Sequence, residues 1–182
     1  SEKVKIGLVK NIFQFDPLRR WHLLDWAFSK ILNDVYTNAP IEFLKTGKSS
    51  FYMPGMVENE MLNPEAPGTL DFIGLNYYSR MHVKGRLNPQ EPFVFDTRQQ
   101  DIMTDMGYPL YAEGFYRALK TISEVDVPIY VTENGLADDK DTVRPLFIER
   151  YLYALNQALK ERIDILGYFY WSLMDNFEWA EG

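Results

Sequence analysis

Four short runs of apolar residues recur along the chain, and segments with helical periodicity separate them. The runs cover residues 4–9, 70–78, 128–133 and 165–173. Each is apolar on both faces, which is typical of strands that are covered on both sides. Apolar residues recur every three or four positions in residues 18–35 and 147–162, and a further helix is predicted over 112–124. This alternation predicts an α/β protein with a parallel sheet built from βα units.

Two longer segments have little periodicity and hold most of the prolines. Residues 39–69 and 79–110 contain seven of the ten prolines. We expect both segments to be long, ordered loops with some local helix. Neither has the composition of an interdomain linker, so the 182 residues are expected to form part of one domain.

Composition excludes several classes of function. The chain has no cysteine and two histidines, which excludes disulfides and thiolate chemistry and argues against a metal site or a cofactor held by such ligands. A net charge of −7 would repel nucleic acid. No apolar run approaches the roughly 20 residues that cross a bilayer, so no membrane is expected as a partner. The absence of cysteine and of a visible leader favours a cytoplasmic protein, with secretion as the alternative.

Polar side chains cluster where each predicted strand ends. The residues concerned are Asn11; Asn76, Tyr77 and Tyr78; Thr132, Glu133 and Asn134; and Trp171, Ser172, Asp175, Asn176 and Glu178. One such residue at one strand end is usually a helix cap or a turn former. Because the carboxyl ends of parallel strands meet at one rim, four clusters together predict a ligand site at that rim.

Glu133 is the strongest candidate for chemistry at this rim. It lies between an apolar strand and an Asn-Gly turn, so the sheet would hold its backbone while the carboxylate faces the mouth of the site. Such a carboxylate can act as a nucleophile, a general base or a metal ligand. Asp138, Asp139 and Asp141 follow closely, but Lys140 lies among them, and we interpret this loop as solvated rather than metal-binding.

Tyr78 and the residues after the last strand would complete a site for a polyol. The Tyr78 hydroxyl could donate to a carboxylate on the next strand and keep it ionised and oriented. Trp171 is followed by Glu178 and Trp179 at a spacing that can fold back over the mouth. An indole ring suits a sugar face and a carboxylate suits adjacent hydroxyls, although a tryptophan-rich loop can also be structural.

Three stretches together resemble glycoside hydrolase family 1, which contains β-glucosidases, β-galactosidases and 6-phospho-β-glycosidases. Residues 71–79 read DFIGLNYYS, residues 128–135 read PIYVTENG, and residues 167–179 read GYFYWSLMDNFEW. Their order and spacing also fit the family. The resemblance implies a (β/α)8 barrel, of which this chain supplies strands 5 to 8 as the C-terminal half of a single domain.

The resemblance also implies a role for each candidate residue. Glu133 is similar to the nucleophile that forms a covalent glycosyl-enzyme, and Asn76 and Tyr78 to residues that line and orient it. Trp171 is similar to the platform for the sugar. Glu178 is similar to the carboxylate that binds the outer hydroxyls, and Trp179 to its neighbour that donates an indole N–H.

The resemblance further implies a β-glycoside substrate and a missing second carboxyl group. A carboxylate at Glu178 would repel a phosphate, so an unphosphorylated glucoside, galactoside or fucoside is the expected substrate. The family's acid/base glutamate lies in an Asn-Glu-Pro box on the fourth barrel strand, and this sequence has no such box. Residues 45–67 also depart from the family pattern.

Two functions therefore remain open at this point. The first is retaining β-glycoside hydrolysis through Glu133, with an acid/base from a complementary N-terminal half-barrel or with a second copy of the chain as partner. The second is a catalytically incomplete half-barrel that binds sugar or a partner protein. In both cases the exposed edges of half a barrel predict a protein partner.

Overall fold

The computed structural model describes residues 4–53 and 57–178. In chain order the elements are β1 (Gly7–Pro17), α1 (Leu23–Asn33), a π-helical turn (Asp34–Asn38), α2 (Ala39–Thr46), β2 (Lys48–Met53), β3 (Val57–Leu62), β4 (Phe72–Gly85), β5 (Phe93–Asp96), α3 (Ala112–Ser123), β6 (Ile129–Asn134), α4 (Arg144–Lys160) and β7 (Ile165–Tyr170). No helix in the described ranges is long and apolar enough to cross a lipid bilayer.

The four predicted strands form one parallel sheet in the order β1–β4–β6–β7, and β5 adds to β4 in antiparallel orientation. Helices connect successive parallel strands, as the alternation in the sequence predicts. All four strands therefore run in the same direction, and β1 and β4 continue beyond the carboxyl ends of β6 and β7. Level with the carboxyl end of β6, Asn11 of β1 pairs with Asn76 of β4, and Asn76 pairs with Glu133.

One face of the sheet buries the apolar core against α3 and α4. Phe115, Leu119 and Ile122 recur at helical spacing on α3, and Phe147 and Tyr151 stack on α4 with ring centroids 3.9 Å apart. Burial of each such side chain contributes about 1.5–3 kcal/mol. The strand residues that complete this core are Ile12, Ile73, Leu75, Tyr77, Ile129 and Val131.

The opposite, concave face is not covered by any described element. Leu166 and Phe169 of β7 are 52% and 57% exposed there, beside a shallow cavity of about 370 Å³ that Phe72 and Tyr130 also line. The outer edges of β1 and β7 have no strand partner among the described residues. The chain thus buries one face of a parallel sheet and exposes the other.

The prediction of two long loops is wrong for the strands that these segments contain, although α2 fits the expected local helix. Residues 39–69 contain α2 and the antiparallel hairpin β2–β3, and residues 79–110 contain the end of β4 and all of β5. β4 extends to Gly85 because β1 continues beside it to Pro17. Two of its polar residues bind the Asp101 carboxylate: Arg80 forms an ion pair with it at 2.9 Å, and the buried His82, whose pKa burial lowers, forms a hydrogen bond with it at 3.0 Å.

The first helix begins later than predicted because Asp25 organises the loop before it. α1 starts at Leu23 rather than at residue 18. The fully buried Asp25 carboxylate accepts hydrogen bonds from the backbone and guanidinium of Arg19 and, at 2.8 Å, from the backbone N–H of Gly85. Burial alone would raise the pKa of Asp25, but these bonds hold it well below its ordinary value of 3.8.

We predict that Asp25→Asn lowers the free energy of unfolding by about 2–3 kcal/mol at neutral pH, because bonds to a charged acceptor are lost. A carboxyl group with a lowered pKa stabilises the folded state above its unfolded-state pKa and loses this effect as pH falls below about 4. Urea unfolding should therefore give a difference from wild type that shrinks with acidification below pH 4. Asp34→Asn, which breaks the exposed pair with Lys30 and leaves an amide oxygen to accept from Asn38, should cost less than about 1 kcal/mol. Equal effects of the two substitutions would contradict the prediction.

Candidate active site

A row of polar side chains crosses three neighbouring strands at the carboxyl edge of the sheet. The register places Asn11, Asn76 and Glu133 side by side on β1, β4 and β6. The sequence places all three in the strand-end clusters of polar residues, but it gives a role only to Asn76 and Glu133. The Asn11 Oδ1 is buried and has no hydrogen-bond partner among the described residues, and this is the structural signal that adds Asn11 to the candidates.

An extra residue in β6 turns Glu133 towards the concave face. Between Leu75 and Asn76 of β4, β6 advances by two residues, from Val131 to Glu133. This irregularity is a β-bulge, and it lets two successive side chains lie on the same side of the strand. The Thr132 hydroxyl donates to Asn76 Oδ1 at 2.6 Å, and Glu133 also bonds across to β4. Both side chains therefore reach the rim of the site.

Tyr78 lies directly against the Glu133 carboxylate. Its hydroxyl donates to Glu133 Oε2 at 2.6 Å, the length of a bond to a charged acceptor. Burial raises the pKa of Tyr78 far above its ordinary value, and the bond and charge of Glu133 and then the charge of Glu178 raise it further. The phenol thus stays protonated and orients one carboxylate oxygen. The other oxygen is left for a different contact.

The segment after β7 lies close to this pair. The backbone N–H of Trp171 donates to the backbone carbonyl of Asn134 at 3.0 Å. The Trp171 residue is 41% exposed. A Cβ at Gly135 would collide with the Trp171 carbonyl, so glycine lets the turn after Glu133 pass beside Trp171. Glu178 is half-buried and contributes to the pKa of Tyr78, whereas Trp179 lies outside the described residues.

The acidic loop between β6 and α4, residues 138–141, binds the first backbone N–H groups of α4. Asp138 Oδ2 accepts from the backbone N–H groups of Val143 and Arg144 at 2.7 and 2.8 Å, at the start of α4. Arg144 also pairs with Asp141. Within residues 4–53 and 57–178 there is no group of three His, Cys, Asp or Glu side chains that could hold a metal ion. Asp138 and Asp141 therefore have a role in the local structure at the start of α4.

We predict that Glu133→Gln lowers the pKa of Tyr78, because the carboxylate charge and the charge-assisted bond are lost. The pKa should stay above 10, since burial of the phenol remains. The measurement is an alkaline titration by NMR of ¹³Cζ-labelled tyrosine, with Tyr78→Phe to assign the signal. Glu149→Gln, an exposed change on α4, is the control and should leave the titration unchanged. An unaltered Tyr78 titration in Glu133→Gln would show that the two side chains are not in contact.

Comparison with solved structures places these strands in a larger fold. A β-glycosidase from Pyrococcus horikoshii matches 98% of this chain and 41% of its own, with a TM-score of 0.81 and 33% identity. A β-glucosidase from Thermotoga maritima in complex with glucoimidazole matches 98% of this chain and 44% of its own, with a TM-score of 0.76 and 29% identity. The described sheet and helices are therefore a part of a (β/α)8 barrel.

Comparison of sequences agrees with this result. Beta-glucosidase A of Thermotoga maritima is 33% identical over 98% of this chain, which covers 44% of that protein. A β-galactosidase of Pyrococcus woesei is 36% identical over 62% of this chain, which covers 25% of that protein. The chain thus spans less than half the length of these relatives. The model of Glycosyl hydrolase family 1 matches residues 18–182, and the chain belongs to that family.

Proposed function

We propose that this chain is the C-terminal half of one barrel domain that hydrolyses β-glycosidic bonds with retention of configuration. The hydrogen bond between Tyr78 and Glu133 at the rim carries the proposal, because it orients a carboxylate without neutralising it. A Glu133 oxygen would attack the anomeric carbon as the bond to the aglycone oxygen breaks. Water would then release the sugar from the glycosyl-enzyme.

The acid/base carboxyl group would come from the other half of the barrel. Retaining hydrolysis needs a second carboxyl group roughly 5–5.5 Å from the nucleophile, first to protonate the leaving oxygen and then to deprotonate water. Tyr78, the residue bonded to Glu133, is a phenol and not a carboxyl group. The sequence also contains no Asn-Glu-Pro box that could supply the acid/base. The open concave face is where a complementary half would place this group.

The substrate would be an unphosphorylated β-glycoside. Trp171 would stack on the sugar ring, Glu178 would accept hydrogen bonds from the outer hydroxyls, and Trp179 would donate its indole N–H. Asn76 and Asn11 lie level with Glu133 and would contact hydroxyls nearer the reacting carbon. The relatives include a β-glucosidase and a β-galactosidase, and these residues suit a glucoside or a galactoside equally.

The exposed concave face and the two free sheet edges support a protein partner that completes the barrel. Solved relatives contain more than half of their length outside the matched region. We take the occupant of the concave face to be the N-terminal half-barrel, either in the same polypeptide or as a separate chain.

A second candidate function is a half-barrel that binds sugar without turnover. The absence of an Asn-Glu-Pro box favours it, because the first step with an ordinary aglycone needs a proton donor. In this case the same rim residues would bind the glycone, and no covalent intermediate would turn over.

We predict that 2,4-dinitrophenyl 2-deoxy-2-fluoro-β-glucoside labels Glu133 in the complete barrel, because this leaving group needs no protonation and the fluorine slows release of the sugar. Mass spectrometry of peptides after incubation should locate the label. Glu133→Ala should abolish labelling, and Glu149→Ala should label like wild type. A label on another residue would overturn the assignment of the nucleophile.

A second experiment separates turnover from binding. The chain would be co-expressed with the part of Thermotoga maritima β-glucosidase A that precedes the matched region. The assembled protein should hydrolyse an aryl β-glucoside, with a loss on the order of 10³-fold or more in Glu133→Ala. If assembly gives no turnover while tryptophan fluorescence reports sugar binding, the binding function is correct instead.

A further inference from the structure

Asn134, the residue after Glu133, has a side chain that the proposed mechanism does not use. It is 0% exposed. Its Nδ2 donates to the Tyr77 carbonyl at 2.6 Å, and its Oδ1 accepts from the Tyr168 hydroxyl at 2.8 Å. Its own carbonyl accepts from the Trp171 N–H. One buried residue thus connects the carboxyl ends of β6 and β7 to the middle of β4.

These bonds close the β-bulge that carries Glu133. The ladder between β6 and β7 also slips by one residue between Val131 and Asn134. Without a bulge, Thr132 and Glu133 would face opposite sides of the strand. The side chain of Asn134, the next residue, is buried in the interior. Its two bonds therefore hold the position at which β6 resumes contact with both neighbours.

The Asn134 side chain also helps to fix the backbone at Tyr78. The pairing of β4 with β6 ends at Asn76 and Glu133, so the following carbonyls of β4 need other donors. Asn134 Nδ2 donates to the Tyr77 carbonyl, and the Tyr151 hydroxyl donates to the Tyr78 carbonyl at 3.2 Å. The backbone that carries Tyr78 is thus fixed relative to the backbone that carries Glu133.

We propose that Asn134 is a positioning residue that sets the distance and angle between Tyr78 and Glu133. It does not contact the substrate. It acts through the backbone on each side of the bond between those two side chains, and Tyr168 acts through Asn134. The inference rests on the proposed role of Glu133, since misplacing a nucleophile by about 1 Å can cost on the order of 100-fold in rate.

The test uses Asn134→Ala, which removes both bonds, and Tyr168→Phe, which removes only the hydroxyl. Titration of ¹³Cζ-labelled Tyr78 should give a lower pKa in Asn134→Ala, because the phenol loses its fixed contact with the Glu133 carboxylate. The labelling rate constant with the dinitrophenyl fluoroglucoside should fall about 100-fold in Asn134→Ala. It should fall about fivefold in Tyr168→Phe, as expected for one hydrogen bond. The concentration of fluoroglucoside that gives the half-maximal labelling rate should change less than about threefold in both variants.

Controls separate positioning from stability. Tyr153→Phe removes an exposed hydroxyl from α4 and should behave as wild type. Circular dichroism identifies conditions in which each variant is folded. If Asn134→Ala does not fold, Tyr168→Phe alone decides the question. Normal labelling and normal Tyr78 titration in a folded but less stable variant would overturn the proposal. If wild type is not labelled but the Tyr78 titration responds to the variants, the proposed function fails and the positioning role stands.

Discussion

The direction in which Glu133 faces depends on one extra residue in β6. Ile129 and Val131 lie in the core, so strict alternation would aim residue 133 at the same apolar layer. An unpaired carboxylate there would cost several kcal/mol or lose its charge. The bulge places Glu133 on the concave side, in contact with Tyr78. A local break in the ladder thus makes an ionised carboxylate compatible with a buried strand.

The packing that stabilises the fold also positions the site. Tyr77 is buried in the core, and its hydroxyl donates to the Tyr111 carbonyl at 2.9 Å. Tyr151 accepts from the Tyr111 N–H at 3.0 Å and donates to the carbonyl of Tyr78. The core tyrosines therefore connect α3 and α4 to the strand that carries Tyr78. A change in helix packing would reach the Glu133 carboxylate through these bonds.

The sequence predicts Asn76, Tyr78 and Glu133 as neighbours because polar residues that close parallel strands must meet at one rim, and the register confirms that Asn76 and Glu133 lie side by side. It does not predict the bulge, since a period of two has no signal for an inserted residue. The sequence also does not predict the extension of β4 to Gly85. Arg80 and His82 read as loop residues in sequence, and Asp16 and Asp101, both distant along the chain, make their burial favourable. Ion pairs between distant residues leave no local pattern.

In the proposed half-barrel, assembly and catalysis would be physically coupled. A parallel sheet is normally covered on both faces, and here the face that exposes Leu166 and Phe169 is also the face towards which Glu133 turns. A partner that buries these apolar side chains would also exclude water from the rim, and a lower local dielectric strengthens each charge in the site. The free energy of association would therefore stabilise the sheet and organise the sugar site in one event. Since binding only to the folded form stabilises it, a glycone that contacts both halves would in turn tighten the assembly.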